Sequence, residues 1–323
     1  MKMFLTHKSA LEYWRIHGAE SDSPQGRHRK GRAPADPPNV LMLSRIKAWG
    51  LTAPLNVTVG EYSAKRTTPL VRTHLLSGFL PTGWSVDAGN GIIVASPELC
   101  FLQMANELPM IKLIELGLEL CGLYALPVPT DGNEDLIADD RGFYNRQQAL
   151  TNVKRLSTFA SRAVGVPGQH RAQNALRYVS DSTASPMETR LLMLLTLPYR
   201  LGGYKLPMPE LNARISLASS PKRNADGPNY FCDLFWPDAG VAVEYDSDMF
   251  HTGADRIAYD SKRRTDLASL GITVVTVTNQ QIRSIVEFER VAKLLAAKMS
   301  KRLRCNENSG FLQAQRELRK LLF

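Results

Sequence analysis

The sequence predicts an α/β protein in which a C-terminal mixed sheet, flanked by helices, follows a smaller α+β domain. Three observations support this prediction: the length of 323 residues, a composition typical of globular proteins, and a helix, hairpin, helix, strand, helix order after residue 185. A single hydrophobic core usually stops growing near roughly 250 residues. Two domains are therefore expected, over residues 1–140 and 150–323.

Composition excludes a membrane protein and a disulfide scaffold. With 44% hydrophobic and 22% charged residues, the chain lies near globular averages. No run approaches the roughly 18 apolar residues of a spanning helix, and His7, Lys8 and Glu12 occupy a segment that a signal peptide would keep apolar. A cytoplasmic protein with no membrane partner is expected. Reduced core thiols are expected at four cysteines without a CxxC pair: Cys100, Cys121, Cys232 and Cys305.

The charge balance favours a polyanionic partner. Lysine and arginine number 40 against 31 aspartates and glutamates, a formal net charge of +9. Such an excess attracts nucleic acid through phosphate contacts, although basic proteins also use charge for solubility. Residues 20–38 combine proline, glycine and the basic run GRHRKGR, which predicts a mobile loop that either contacts phosphate or is simply solvated.

The first 125 residues contain short β-prone runs and a well-marked helix. Ser96 caps a helix that begins at Pro97, and Glu98 and Glu107 are expected on helix surfaces. The order of short strands, basic segment, apolar strand and SPELCFLQMA helix resembles the C-terminal region of abortive-infection-type antitoxin proteins. That resemblance implies a toxin–antitoxin context and a possible protein partner for the N-terminal domain.

The second domain is predicted to begin after a polar, acidic segment. Residues 126–152 are rich in turn formers and mark the junction, and a basic helix over 153–164 follows. Ser185 is then expected to cap a helix with Pro186 in its first turn and Glu188 three residues after the cap.

A hairpin and a strand form the predicted sheet. Residues 230–246 contain two strands joined at the turn from Pro237 to Gly240, which places Asp233 and Glu244 on neighbouring strands. Residues 255–270 predict a helix closed by Gly271, ITVVTVT a buried strand, and Asn279 the start of another long helix.

Two carboxylates stand in strands that otherwise look buried. Asp233 lies within YFCDLFW, and Glu244 ends the apolar run GVAV. A buried charge needs a metal, a basic partner or a proton. Mg²⁺ binds hard oxygen ligands and often uses only one or two protein carboxylates, so Mg²⁺ or Mn²⁺ is the predicted cofactor.

The segments SPMETRLL, YFCDLFWPDAGVAVEYD, YDSKRRTDLASLG and ITVVTVT, over about residues 150–300, resemble the very-short-patch-repair-like branch of the PD-(D/E)xK nuclease superfamily. The residues that match the pattern of this branch are, in chain order, Glu188, Asp233, Glu244, Asp246 and His251. The resemblance implies a restriction-endonuclease-like fold and a metal-dependent DNA endonuclease, with Glu188, Asp233 and Glu244 as metal ligands.

The sequence departs from the usual superfamily pattern at one position, although the very-short-patch-repair-like branch also lacks the lysine in question and relies on histidine. The lysine of the usual E-x-K triplet is Asp246 here, and Lys262 or Arg263 on the next helix is a candidate for the missing positive charge. Asp233, Glu244, Asp246, His251 and Lys262 are the candidate catalytic residues. The alternative is a catalytically inactive DNA-binding regulator of antitoxin type.

Each candidate also has an ordinary structural alternative. Glu188 fits a capping box, and Asp233 and Glu244 can pair with arginines such as Arg264. Asp246 can be a turn residue, His251 can cap or pack, and the SKRR run that contains Lys262 and Arg263 can be a solvated helix face.

Overall fold

A computed structural model of the chain describes residues 2–18, 31–32, 49–76, 79–128, 142–217, 229–246, 254–303 and 309–323. The chain divides into two compact units, Met1–Asp181 and Ser182–Phe323. The chain as a whole is α/β, with mixed sheets flanked by helices.

The helices of the described residues are α1 (His7–His17), α2 (Pro97–Met104), α3 (Met110–Leu120), α4 (Val153–Arg162), α5 (Gln169–Leu176), α6 (Pro186–Thr196), α7 (Ala254–Ser269), α8 (Asn279–Arg283), α9 (Ile285–Lys298) and α10 (Ser309–Leu322). The strands are β1 (Met3–Leu5), β2 (Gly31–Arg32), β3 (Leu55–Val59), β4 (Val71–Leu75), β5 (Phe79–Leu80), β6 (Ser85–Asp87), β7 (Ile92–Ala95), β8 (Tyr124–Ala125), β9 (Tyr144–Asn145), β10 (Glu210–Ser216), β11 (Asn229–Trp236), β12 (Val241–Asp246) and β13 (Thr273–Thr278). Among these helices, none has the length and hydropathy needed to cross a bilayer.

The first unit is built on a mixed sheet, whose strand order in the described residues is β4-β3-β1-β7-β6. Every residue of β1, β3 and β7 is buried, as expected for central strands covered on both faces. Helix α1 packs against β3 and β7, and helix α2 packs against α1. The Ser96 hydroxyl accepts a hydrogen bond from the Leu99 N–H at 3.2 Å, so the predicted cap and the helix start at Pro97 are confirmed.

The boundary between the units lies later in the chain than the acidic segment 126–152. Helix α4, which was expected after the junction, belongs to the first unit because it packs against α2. The Glu98 carboxylate binds the Arg155 guanidinium at 2.7 Å and accepts a hydrogen bond from the Thr151 hydroxyl at 2.8 Å. Glu98 is buried, so its expected place on a helix surface is wrong.

The second unit contains a mixed sheet with the strand order β10-β11-β12-β13 in its described part. β10, β11 and β12 are antiparallel neighbours, whereas β13 runs parallel to β12. The predicted hairpin is confirmed: a single 3₁₀ turn over Pro237–Ala239 joins β11 to β12. Gly240 closes the turn with φ +56°, and a Cβ at this position would lie 2.8 Å from the Gly271 carbonyl oxygen. Glycine is required there both by conformation and by space.

Two predictions in this unit need correction, and one strand was missed. β13 was expected to be buried, but it lies at the edge of the sheet and only Val277 is fully buried within it. The long helix expected from Asn279 is interrupted at Ser284, whose side chain caps α9 by accepting the Glu287 N–H. Strand β10, which pairs along β11, was not predicted at all.

Other predictions are met in part. Cys100, Cys121 and Cys232 are free and buried, as expected of core thiols, whereas Cys305 lies outside the described residues. Most of the predicted loop 20–38 also lies outside them, and residues 31–32 form β2, which pairs with β5.

Candidate functional site

Asp233 stands where the β11–β12 hairpin opens. The main-chain ladder pairs Trp236 with Val241 and Leu234 with Val243, and Asp233 is the next residue of β11. Its carboxylate Oδ2 accepts a hydrogen bond from the Tyr245 N–H at 2.8 Å. The Asp233 side chain therefore accepts the Tyr245 N–H at the end of the ladder, and this hydrogen bond fixes the carboxylate between the two strands.

The environment of Asp233 disfavours its ionised form. Burial raises the pKa of Asp233 most, and the negative charges of Glu188 and Glu244 raise it further. The Tyr245 N–H and the Arg263 guanidinium act in the opposite direction but do not compensate, so the pKa of Asp233 rises to about 7. A carboxylate in this condition gains stability from either a proton or an additional cation.

Glu188 reaches this region from the first turn of α6. Its N–H donates to the Ser185 hydroxyl at 3.1 Å, which confirms the predicted cap. Its carboxylate accepts the Ala184 N–H at 2.9 Å and the Asn212 side-chain amide at 3.2 Å. The Glu188 carboxylate thus binds the segment before the helix and not the Ser185 N–H of a capping box, and its charge raises the pKa of Asp233.

Glu244 is held by an arginine of helix α7. Arg263 Nη1 donates to Glu244 Oε2 at 2.7 Å, and Nη2 donates to Oε1 of the same carboxylate. Nη2 also donates to the Phe231 carbonyl oxygen at 2.5 Å. Both side chains are largely buried, with 17% of the arginine and 18% of the glutamate exposed. Burial lowers the pKa of Arg263, but the bonds and charge of Glu244 outweigh that effect and the pKa is raised.

The remaining candidates are exposed or lie outside the described residues. Asp246 is exposed at the end of β12, next to Thr278 of β13. Lys262 is exposed on α7, one residue before Arg263. His251 lies outside the described residues.

The structure therefore brings Glu188, Glu244 and Arg263 near enough to Asp233 for their charges to affect its pKa. Carboxylate oxygens of Glu188, Asp233 and Glu244 do not all lie within 4.8 Å of one another. Glu244 forms an ion pair with an arginine, which was the alternative to a metal, but the arginine is Arg263 and not the Arg264 that the sequence suggested. A metal shared by Asp233 and Glu244 has to compete with that guanidinium.

Sequence reasoning missed one residue of this region. Asn212, on β10, donates one amide bond to Glu188 and another to the Ser182 carbonyl oxygen at 2.6 Å. Its φ is +47°, a left-handed conformation that asparagine tolerates better than most residues. The sequence ELNARIS alternates polar and apolar residues, a pattern typical of a half-buried strand, and this signal could have identified β10 and with it Asn212.

Asn in place of Asp233 should stabilise the metal-free protein at pH 8 but not at pH 4. The pKa of Asp233 is about 7 when folded and close to 3.8 when unfolded, so the folded state binds more protons between these values. Wild-type stability therefore falls as pH rises from about 4 to 7, and asparagine avoids this loss. A shift of this size corresponds to about 4 kcal/mol, and because Asp233 is partly exposed we expect a gain of about 2 kcal/mol in the free energy of unfolding at pH 8. Urea unfolding in EDTA at both pH values measures it, and an equal gain at pH 4 would contradict the assignment.

Comparison with curated proteins identifies two uncharacterized proteins of Mycobacterium tuberculosis, from strains CDC 1551 / Oshkosh and ATCC 25618 / H37Rv. Each is 29% identical to this chain over 114 residues, which cover 35% of this chain and 36% of the relative. The match thus spans about a third of each relative, and their names state no activity. No protein-family model and no solved structure matches the chain.

Proposed function

We propose that the second unit is a metal-dependent endonuclease that hydrolyses DNA phosphodiester bonds. The observation that carries this proposal is Asp233, a largely buried carboxylate whose pKa is raised towards neutrality beside Glu188 and Glu244. Perturbed carboxylates clustered in this way are typical of functional sites, although ion-pair networks also produce them.

The arrangement of elements supports a restriction-endonuclease-like fold. Helix α6, the β11–β12 hairpin, helix α7 and strand β13 occur in the order that the resemblance to PD-(D/E)xK nucleases implies. The matched carboxylates lie at corresponding places: Glu188 on the helix, Asp233 on one strand of the hairpin and Glu244 on the other.

The donor atoms suit a hard divalent ion. Asp233, with Glu188 or Glu244, offers carboxylate oxygens to Mg²⁺ or Mn²⁺, and a cation at this point would relieve the repulsion that raises the pKa of Asp233. A bound ion supplies positive charge to the scissile phosphate and makes water more acidic. In this proposal the Tyr245 N–H orients the Asp233 carboxylate, and Glu244 is shared with Arg263.

Arg263 is the proposed replacement for the missing lysine. Its guanidinium lies beside Glu244, whereas Lys262 is exposed and Asp246 occupies the usual lysine position. An arginine presents several donors in a planar fork, which suits a phosphate as well as a carboxylate. Arg263 would thus bind Glu244 in the resting protein and attract the phosphate of bound DNA.

A DNA-binding regulator without nuclease activity is the second candidate. It is favoured by the Arg263–Glu244 ion pair, which satisfies one of the three carboxylates without a metal. Both proposals require DNA binding, which the net charge of +9 favours. A partner bound through the first unit, as the antitoxin-like resemblance implies, is compatible with either.

A binding and cleavage experiment separates the two candidates. The purified chain is incubated with plasmid and with single- and double-stranded oligonucleotides, in Mg²⁺, Mn²⁺ or EDTA. The nuclease proposal expects cleavage with metal and none with EDTA, together with DNA affinity that falls steeply as salt rises, because phosphate contacts release counterions. Salt-sensitive binding without cleavage in any metal would support the regulator, and affinity that is independent of salt would count against both.

A further inference from the structure

A second group of potential metal ligands lies in the first unit. His7 at the start of α1, His74 on β4 and Glu107 after α2 each offer one ligand atom, and these atoms lie within 4.8 Å of one another. They line a cavity of about 370 Å³, whose wall also includes Thr58, Gln103 and Lys65 among others. We propose that His7, His74 and Glu107 bind a divalent transition-metal ion, with Zn²⁺ as the best match to two imidazoles and one carboxylate.

The hydrogen bonds of His74 leave one nitrogen available for a ligand. Its Nε2 lies 2.8 Å from the Asn56 Oδ1, and Asn56 is oriented by donating its amide to the Pro54 carbonyl oxygen. An amide oxygen can only accept, so His74 carries its proton on Nε2 and keeps a lone pair on Nδ1. Metal-binding histidines are commonly oriented by such a bond on the second ring nitrogen.

His7 is held in an unusual position by contacts on three sides. Its φ is +50°, a left-handed conformation that costs roughly 1–3 kcal/mol for a residue other than glycine. Its N–H donates to the Gln103 Oε1 at 3.2 Å, and its carbonyl oxygen accepts the Cys100 thiol at 3.5 Å. The ring Nδ1 lies 3.1 Å from the Thr6 hydroxyl, which leaves Nε2 as the ring atom without a hydrogen bond among the described residues.

The two imidazole rings stack face to face in the cavity, with centroids 3.7 Å apart and planes 18° apart. A shared ion requires the stacked rings to splay, since lone pairs lie in the ring planes.

Two cations oppose binding of a metal here. Lys65 lies on the cavity wall, and Arg72 is close enough to affect both His74 and Glu107. Both cations are exposed, so solvent and salt screen their repulsion, whereas the three ligands would bond to the ion directly. Because two histidines and one carboxylate leave a coordination position open, Lys65 favours an anionic fourth ligand.

Zn²⁺ titration of the full chain against a competing chromophoric chelator tests the proposal. We expect wild type to bind Zn²⁺, and His74→Ala and Glu107→Gln to bind it with an affinity on the order of 10²-fold lower. Removing a residue that only orients a ligand already lowers metal affinity by up to about this factor, so removing a ligand itself should cost at least as much. Glu107 is exposed and the glutamine keeps its shape, so this variant should remain folded.

His170→Ala should bind Zn²⁺ like wild type, because it removes an exposed histidine from α5 and matches the chemistry of His74→Ala. The titrations are also made in the Asp233→Asn background, because a carboxylate site that takes Mg²⁺ or Mn²⁺ also takes Zn²⁺. Zinc uptake that persists in this background and is weakened by His74→Ala is uptake at the histidine site. Absence of Zn²⁺ uptake by wild type, or wild-type affinity in both His74→Ala and Glu107→Gln, would overturn the proposal.

Discussion

Asp233→Asn should lower Mg²⁺-dependent DNA cleavage by a factor of about 10³ or more, while DNA affinity stays within a few fold of wild type. Metal-assisted charge stabilisation is worth several kcal/mol in a phosphoryl transition state, and about 4 kcal/mol corresponds to 10³ in rate. The asparagine oxygen can still accept the Tyr245 N–H, so the loss reflects missing charge and not a changed backbone. Initial rates of plasmid nicking and an equilibrium binding assay measure the two quantities.

Asp238→Asn is the matched control for this experiment. Asp238 is exposed in the turn of the same hairpin, so the same chemical change there should leave cleavage at the wild-type rate. Equal rates for Asp233→Asn and wild type would remove Asp233 from the proposed mechanism. Equal loss in both variants would show that the effect does not depend on the carboxylate cluster.

Arg263→Met should lower the free energy of unfolding of the metal-free protein by about 2 kcal/mol. Methionine retains an apolar stem near Tyr230, but Glu244 loses both hydrogen bonds of its guanidinium partner. Breaking a fully buried pair costs about 3–5 kcal/mol, and the partial exposure of both side chains reduces that cost. Chemical unfolding in EDTA measures the difference.

Mg²⁺ should restore part of the stability lost in Arg263→Met. A ligand that binds only the folded state stabilises it, and Glu244 without its arginine is a better ligand for a cation. Lys262→Met is the control, because Lys262 is exposed on the same helix and its loss should change stability by less than about 0.5 kcal/mol. A destabilised Arg263→Met protein that does not respond to Mg²⁺ would argue that Glu244 serves only the ion pair.

Local sequence patterns predicted the elements that position the candidate site. Ser96 and Ser185 were identified as caps because a hydroxyl before a proline and an apolar stripe marks a helix start, and both hydroxyls accept the expected N–H. Gly240 and Gly271 marked the ends of a turn and a helix, and both have positive φ. These features depend on residues within a few positions of one another.

Long-range contacts could not be read in the same way. Successive residues of a helix point about 100° apart, so the rotation of α7 about its axis decides whether Arg263 or Arg264 faces Glu244. His7 and His74 come together only because β4 joins the sheet next to β3, and no spacing in the sequence indicates it. Asn212 likewise contacts Glu188 only because β10 pairs with β11; the alternating sequence of β10 indicates a strand but not its pairing partner.

The central claim is that Asp233 and its neighbouring carboxylates hold a divalent ion. The most direct test is a titration with Mn²⁺ in which the free ion is measured by electron paramagnetic resonance. The titration compares His74→Ala, in which the proposed histidine site is removed, with the double variant His74→Ala, Asp233→Asn. We predict that His74→Ala binds Mn²⁺ and that the double variant binds it on the order of 10²-fold more weakly. Equal Mn²⁺ binding by the two proteins, or none by either, would contradict the claim.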